Sequence, residues 1–401
     1  MESSHDVVVV GSGPAGWATA VACSEAGLHT ILIAPEPTAP WPATYGAWAD
    51  ELDALGFGHV GAQKWPTISA TGRTRHVLAR SYARVDNAAL FGELFRRGSW
   101  AGLALEVGRI VGVRHDRTDS TVLTSDARSV VGRVVLDASG AASVLSGSAG
   151  VAKAWQWAYG IVATPSEPID PTGCVLMDFS GTRPDGAPPS FLYAQQWSSD
   201  RWFLEETVLA SRTEVSAATL RRSLHHRMAQ RGIELCDIVE HEVVRIPMGL
   251  RVPSPGRIVA LGAAGGGIHP VTGYSLTASL RAAPLVATAI AQALQRRATV
   301  EAVSAAAWAA RSTPAHRRAR SLQEYGLDVM LRMDLAGQQQ FFDEFFSLSP
   351  DQIDRYLGDS SGATEVAAVM RAVWAKASSD LRRSLATGDP RVLARVLRRS
   401  Y

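Results

Sequence analysis

The chain has 401 residues, 46% of them hydrophobic and 19% charged, with a formal net charge of +2. That length allows one large domain or two entwined ones with a sizeable core, and the balance is that of a folded protein with an apolar lean. A charge so near neutral gives no argument for nucleic acid as a partner.

Cys23, Cys174 and Cys236 are an odd number without metal-ligand spacing. They read as buried thiols of a reducing cytoplasm, and no metal site is expected. No secretory signal precedes residue 7, and no apolar run reaches the ~18 residues that span a bilayer. The expectation is a cytoplasmic protein, with attachment at a membrane surface left open.

The first stretch, HDVVVVGSGPAGWATAVACSEAGLHTILIAPEP, reads as strand, glycine turn, helix, strand. Val7 to Val10 is a β-branched run suited to a buried parallel strand. Gly11, Gly13 and Gly16 follow as G-x-G-x-x-G. The first glycine permits the tight turn, the second lets the backbone approach a pyrophosphate, and the third lets the helix pack on the strand. Pro14 and Ala15 open the helix, whose free N–H groups suit phosphates. The alternative is a chance glycine turn. The second strand, Thr30 to Ile33, ends at Ala34, where an acid for the ribose usually stands. Glu36 is the best substitute.

WPATYGAWADEL (41–52) carries Trp41, Tyr45 and Trp48, which form either a packed aromatic loop or faces that stabilise a cation. VVGRVVLDASGAAS (130–143) is a strand followed by Asp137, Ser139 and Gly140. Residues 155 to 245 alternate like antiparallel strands. They include Asp178, either a turn residue at a strand end or an acid of a pocket, and RWFLEETVLA (201–210) with Glu205 and Glu206. Then PGRIVALG opens a strand and a glycine-rich turn. HPVTGYSL (269–276), with His269, Pro270, Thr272, Gly273 and Tyr274, leads into a long helix. This is an anion-suited helix start or a mere Pro/Gly turn with a surface histidine. From Glu301 onward the chain looks helical. Phe341, Phe342, Phe345 and Phe346 suit a helix core face, or else an entrance for a lipid-soluble substrate. Arg391, Arg395, Arg398 and Arg399 mark a short basic amphipathic tail that suits a solvated helix end or an anionic lipid surface.

Several of these pieces, in this order, resemble the plant and bacterial lycopene cyclase family. They are DVVVVGSGPAGWATA, WPATYGAWADELDALG, RSYARVD, VVLDASG, WQWAYGIVA, VLMDFS, FLYAQQWSSDRWFLEETVLA, RIPMG and GGGIHPVTGYSL, and FFDEFFSLSP extends the match. The resemblance implies an α/β fold like that of para-hydroxybenzoate hydroxylase, a Rossmann-like FAD domain with an inserted antiparallel substrate sheet and C-terminal helices. The expected divisions are 1–154 with 245–300 for FAD, 155–244 for substrate, and 301–401 for the helices. It implies bound FAD, active when reduced, with NAD(P)H needed only to prime it. It also implies a lipophilic polyene as substrate, contact with the membrane surface, and cyclisation without net redox change. In the same way it places Arg84 of RSYARVD and the HPVTGYSL turn beside the flavin. The chain departs from the family at Ala34 for an acid, Trp17 for leucine, Gln195-Gln196 for Met-Pro, and Leu250 for glycine.

Cyclisation of a polyene begins by protonating its terminal alkene, so it needs a general acid where water cannot trap the cation. Burial raises a carboxyl pKa by up to ~3–5 units, which makes a glutamate in an apolar strand such an acid. Neighbours on a strand point to opposite faces. Arg201, Phe203, Glu205, Thr207 and Leu209 share one face; Trp202, Leu204, Glu206, Val208 and Ala210 share the other. The greater apolarity of the second face favours Glu206 as the neutral acid, and the family pattern favours Glu205. Glu205 is expected to be the donor, with Glu206 essential beside it. Thr207, Asp178, Tyr45 and Trp48 are candidates for support. The rival reading is a buried ion pair, for example with Arg201. At the level of function the rivals are a cyclase of another prenyl chain and a flavin monooxygenase or epoxidase on the same fold.

Overall fold

His5–Val10 lies between two parallel neighbours, Thr30–Ala34 and Ser129–Asp137, so its valines are covered on both faces and both edges. The computed structural model describes residues 5–145, 152–358 and 361–388. The sheet runs in the order Ala104–Val107, Thr30–Ala34, His5–Val10, Ser129–Asp137, Ser120–Thr124, Ile110–His115. The end of Ser129–Asp137 also pairs in parallel with Ile258–Ala260, so the chain rejoins its first unit after the long insertion. Pro14–Glu25 packs on Asn87–Trp100 and on the long helix Leu276–Gln295, as the third glycine of the motif allows.

The second sheet has the order Leu235–Met248, Ala154–Pro165, Trp202–Ser211, Phe191–Gln196, Cys174–Asp178, Ile68–Thr71, Arg75–Leu78. Its antiparallel core matches the alternation read from the sequence. Three features differ. Ile68–Thr71 and Arg75–Leu78 join it from early in the chain, Leu235–Met248 runs past residue 244, and a helix, Ala217–Gln230, interrupts the strands. The early strands are four residues each, too short to show a period, and their sheet partner Cys174–Asp178 is remote. The helix is capped by the Ser216 side chain and buries Leu220, Leu224 and Met228 against one face of the sheet.

The other face looks toward the first domain and the C-terminal helices. Pro314–Met330, Leu335–Phe346, Pro350–Leu357, Ala363–Lys376 and Ser379–Leu385 build a shared core with it, into which Phe342, Phe345 and Phe346 are buried. Cys23 and Cys174 are buried as expected, but Cys236 is exposed near the start of its strand. Its strand there lacks a covering layer, so apolar character alone misplaced it. No helix among the described residues is long and apolar enough to cross a membrane. Arg391, Arg395, Arg398 and Arg399 lie outside the described residues.

Candidate active site

The acidic strand, Trp202–Ser211, sits between Phe191–Gln196 and the central strand Ala154–Pro165. One row crosses the sheet at Glu205. Tyr193 is its partner on one side and Gly160 on the other, and Gly160 in turn pairs with Glu242 of Leu235–Met248. A Cβ at Gly160 would press on the Phe203 ring and on the Glu242 side chain. The glycine thus opens the space in which two carboxylates, two strands apart, face one cavity. That cavity, of about 410 Å³, is lined by Glu205, Glu242, Tyr45, Trp48, Tyr82, Tyr193, Phe203 and others from the 268–277 segment and the helix Leu335–Phe346.

Glu205 is pushed up to about 8, first by burial and then by the charge of Glu242; the Thr207 hydroxyl, donating to its Oε1 at 2.6 Å, opposes this. Its carboxyl is therefore largely protonated at neutral pH. Glu242 is anchored by the backbone N–H of Thr44 at 3.0 Å, which ties it to the aromatic loop that carries Tyr45.

Glu206 points the other way, as strand parity requires, and lies fully buried under the helix Ala217–Gln230. Arg227 of that helix meets it through two bonds, Nε to Oε2 at 2.9 Å and Nη2 to Oε1 at 2.8 Å, and Ser190 Oγ donates to Oε1 at 2.6 Å. The apolar-face argument for Glu206 as a neutral acid is corrected by this pairing. The face is apolar because a helix covers it, and that helix brings its own cation. The ion-pair reading thus holds for one glutamate only, and its partner is Arg227. Arg201 instead donates to the Asp237 carbonyl at 3.2 Å.

Asp178 also stands away from the cavity. Burial pushes it up, but Arg231 and the Ser180 bonds outweigh that and hold it below the usual carboxylate value. It terminates its strand in a turn, as the first of its two sequence readings has it.

Tyr45 and Trp48 both line the cavity. Arg80 stacks over Trp48 at 4.3 Å and pairs with Asp50, Glu51 and Asp354, so it fastens the aromatic loop to the C-terminal helices. A chain of phenols forms the wall next to them. Tyr82 and Tyr274 oxygens are 3.0 Å apart, and Tyr193 donates to Tyr82 at 3.4 Å. A Cβ at Gly46 would collide with the Tyr82 and Tyr193 oxygens. Gln195, where the family has Met, is fully buried and donates to the Tyr193 hydroxyl. The departure thus adds a polar tie behind the cavity wall without entering the cavity.

Part of the set expected at a dinucleotide comes together where the first strand meets its helix. Gly11 has φ +105, and a Cβ there would strike the Ala138 carbonyl; one at Gly16 would strike the carbonyl of Gly11. A Cβ at Gly13 would meet nothing, so that backbone is open to approach. Pro14 and Ala15 begin the helix, whose Gly13 N-cap has no side-chain bond. The first N–H groups are free for phosphates. The Trp17 indole donates to Pro37 O at 2.9 Å and Ser12 Oγ to Glu36 O at 3.2 Å, which folds Glu36 back over the turn. Trp17 in place of leucine is thereby explained. Asp137 is fully buried and accepts from Ser139 and Ser143, fixing the turn that carries Gly140. Asp86, by contrast, caps the helix Asn87–Trp100.

Arg84 stacks on Trp197 at 4.2 Å, and burial draws its pKa down. His269 is buried, which corrects the surface-histidine alternative. Burial, then the charge of Arg320, pushes it down to about 3, so it stays neutral, and its Nδ1 accepts from the N–H groups of Val271 and Thr272. Pro270 is buried beside it, while Thr272, Gly273 and Tyr274 reach the cavity. Arg311, which sequence reasoning passed over, holds the Gly265 carbonyl in the glycine-rich turn. Its Nη1 is buried without a partner among the described residues, and burial draws the group down to about 10. A cation with no carboxylate partner among the described residues, an uncapped helix start and an open Gly13 together fit the negatively charged FAD. Gly13→Val is accordingly expected to fold and to lose its flavin, since the new side chain strikes no protein atom near its Cβ but stands where the pyrophosphate approaches. Flavin absorbance after FAD addition checks this; stoichiometric flavin in the variant would contradict the placement.

Glu242, Gly160 and Arg227 were also missed by sequence reasoning. A signal existed for the first: Glu242, Val244 and Ile246 share a strand face by parity, and all three line the cavity, with Arg245 and Pro247 between and beyond them. Glu240, two residues earlier, breaks the pattern because the register shifts between Gly160 and Ile161, and it accepts instead from Tyr159 at 2.9 Å.

Fold and site together define a protein of the FAD-dependent hydroxylase architecture whose apolar cavity carries a protonated carboxyl. Solved structures share the fold. A geranylgeranyl bacteriochlorophyll reductase-like protein from Thermoplasma acidophilum superposes with a TM-score of 0.69 at 14% identity, covering 100% of both chains. The flavin-dependent brominase Bmp2 does so at 0.65 and 15%, covering 93% of this chain and 99% of its own. The family described as "Lycopene cyclase protein" matches residues 6–383, and the chain belongs to that family of ring-closing carotenoid enzymes. It is 35% identical to an uncharacterized carotenoid cyclase of Deinococcus radiodurans, over 96% of this chain and 93% of that one. It is 35% identical to the lycopene beta cyclase of Capsicum annuum, over 86% and 72%, and 32% identical to that of Synechococcus elongatus, over 94% of each.

Proposed function

We propose that the protein closes a β-type ring on the end of lycopene or a related linear polyene, with no net redox change. The observation that carries this reading is Glu205, a carboxyl held protonated on the ceiling of an apolar, aromatic cavity. Glu205 gives its proton to the terminal trisubstituted alkene. A C–H bond forms, and the neighbouring carbon becomes a tertiary cation. The next suitable double bond supplies the electron pair for the ring-closing C–C bond, which moves the cation into the ring. A carboxylate then removes the adjacent proton, and the C–H pair becomes the ring C=C. Glu205 and Glu242 are the carboxylates that line the cavity, and proton return to Glu205 restores the starting state.

The aromatic rings of Tyr45, Trp48 and Phe203 stabilise the cation by ~0.5–2 kcal/mol per ring, and the mostly apolar lining limits the water around it. The turn of Gly11, Gly13 and Gly16 and the helix start at Pro14 would hold FAD, which, reduced with NAD(P)H as primer, would supply negative charge toward the cation. The substrate is lipid-soluble, so the protein works by peripheral contact with a membrane surface on the cytoplasmic side.

A cyclase of another prenyl chain is the second reading, which Gln195, bonded behind Tyr193 and outside the cavity lining, does not favour. Pigment analysis of lycopene-accumulating cells expressing the protein separates the two. Cyclisation under anaerobic conditions with reduced flavin is expected without stoichiometric nicotinamide oxidation. One nicotinamide consumed per product, with oxygen incorporated, would assign the protein to the monooxygenases instead.

A further inference from the structure

A second cavity of about 290 Å³ lies among the C-terminal helices, lined by Tyr325, Val329 and Met330 of one helix and by Val369, Met370 and Val373 of another. Its walls are almost wholly apolar. The Tyr325 hydroxyl is turned to the Leu385 carbonyl at 2.7 Å, so its ring is the part left for the lining. Protein interiors rarely keep voids larger than a water molecule, because an empty cavity forfeits packing. Cavities lined this way stay dry and take apolar ligands.

Position distinguishes this cavity from a packing defect. Val271, Phe341, Phe345 and Tyr356 line both it and the cavity under Glu205. The partition is thus mainly three rings, with Phe341 stacked on Phe345 at 6.1 Å and Phe345 edge-on to Tyr356 at 5.4 Å. On its far side the lining includes Arg371 and Trp374, a residue 44% exposed. The second cavity therefore extends from the acid's chamber to the protein surface.

We propose that the second cavity is the subsite for the trailing length of the linear polyene, with the ring-forming end held under Glu205. This rests on the reading of a long carotenoid substrate. Pockets of ~300–1,000 Å³ hold drug-sized molecules, and the first cavity is at the low end of that range. A carotenoid is far longer than its ring-forming end, and the remainder needs apolar cover of its own. The chain passes between Phe341, Phe345, Tyr356 and Val271.

Val369→Trp fills the second cavity from its floor and Met370→Trp from its rim. Both are compared with the parent chain at equal flavin content, which controls for folding. Cyclisation of a full-length linear carotene is expected to fall at least tenfold in kcat/KM, while a half-length polyene with the same terminus is cyclised as before. In a Glu205→Gln background, retention of the full-length carotene through gel filtration in detergent is expected to fall equally. Filled variants that retain and cyclise the long carotene at the parent level, or that lose both substrates alike, would overturn the subsite. If the parent cyclises no carotene, the functional reading itself fails, and carotene retention still decides the subsite.

Discussion

Glu205→Gln is expected to lower cyclisation per flavin-loaded molecule by at least ~10²–10⁴-fold, the usual contribution of general acid catalysis. The amide keeps the shape and the Thr207 bond but has no acidic proton to give. In deuterated solvent the parent protein should place one deuteron in each new ring. The pH dependence follows from the same group. Its acid form is complete well below about 8 and disappears as pH rises through that value, so activity should have an alkaline limb there. The proton is held more tightly folded than unfolded, so its contribution to stability is full below the ordinary value of 4.5 and is lost progressively as pH rises from there to about 8. Glu242→Gln removes the neighbouring charge and should move the limb to lower pH. Tyr193 and Tyr45, which also face Glu205 or Glu242, stay neutral because burial pushes both up. Unchanged turnover per flavin in Glu205→Gln would remove this residue from the chemistry.

Glu206→Ala should act on stability instead. It leaves the Arg227 guanidinium buried with only the Ser180 and Ser190 carbonyls as acceptors, and breaking such a pair from one side costs about 3–5 kcal/mol. Replacing both partners by apolar residues of similar volume, as in Glu206→Leu with Arg227→Met, should recover most of that loss. Denaturant midpoints and flavin retention measure it. If Glu206→Gln kept its midpoint and its flavin yet lost turnover, Glu206 would belong to the chemistry and the structural assignment would be wrong.

The glycine motif was readable because its demands are local. Gly11 needs a positive φ, Gly16 a missing Cβ, and both constraints act within a few residues of chain. Likewise a strand has a period of two, so FLEET alone separates Glu205 from Glu206. The ordered set of motifs identified the family for the same reason, since each keeps its spacing in the chain.

What each face meets was not local. Glu206 is an ion-paired anchor because Arg227 arrives on a helix 21 residues later. The Glu205 carboxyl is raised first by burial and then by the charge of Glu242, which, with Gly160, comes from two other strands. A carboxyl's pKa depends on burial and on charges within several ångströms, and chain separation carries no information about either. Alternation along the strand therefore determined that the two glutamates part company. Only the tertiary packing decided which of them meets a cation and which meets the cavity.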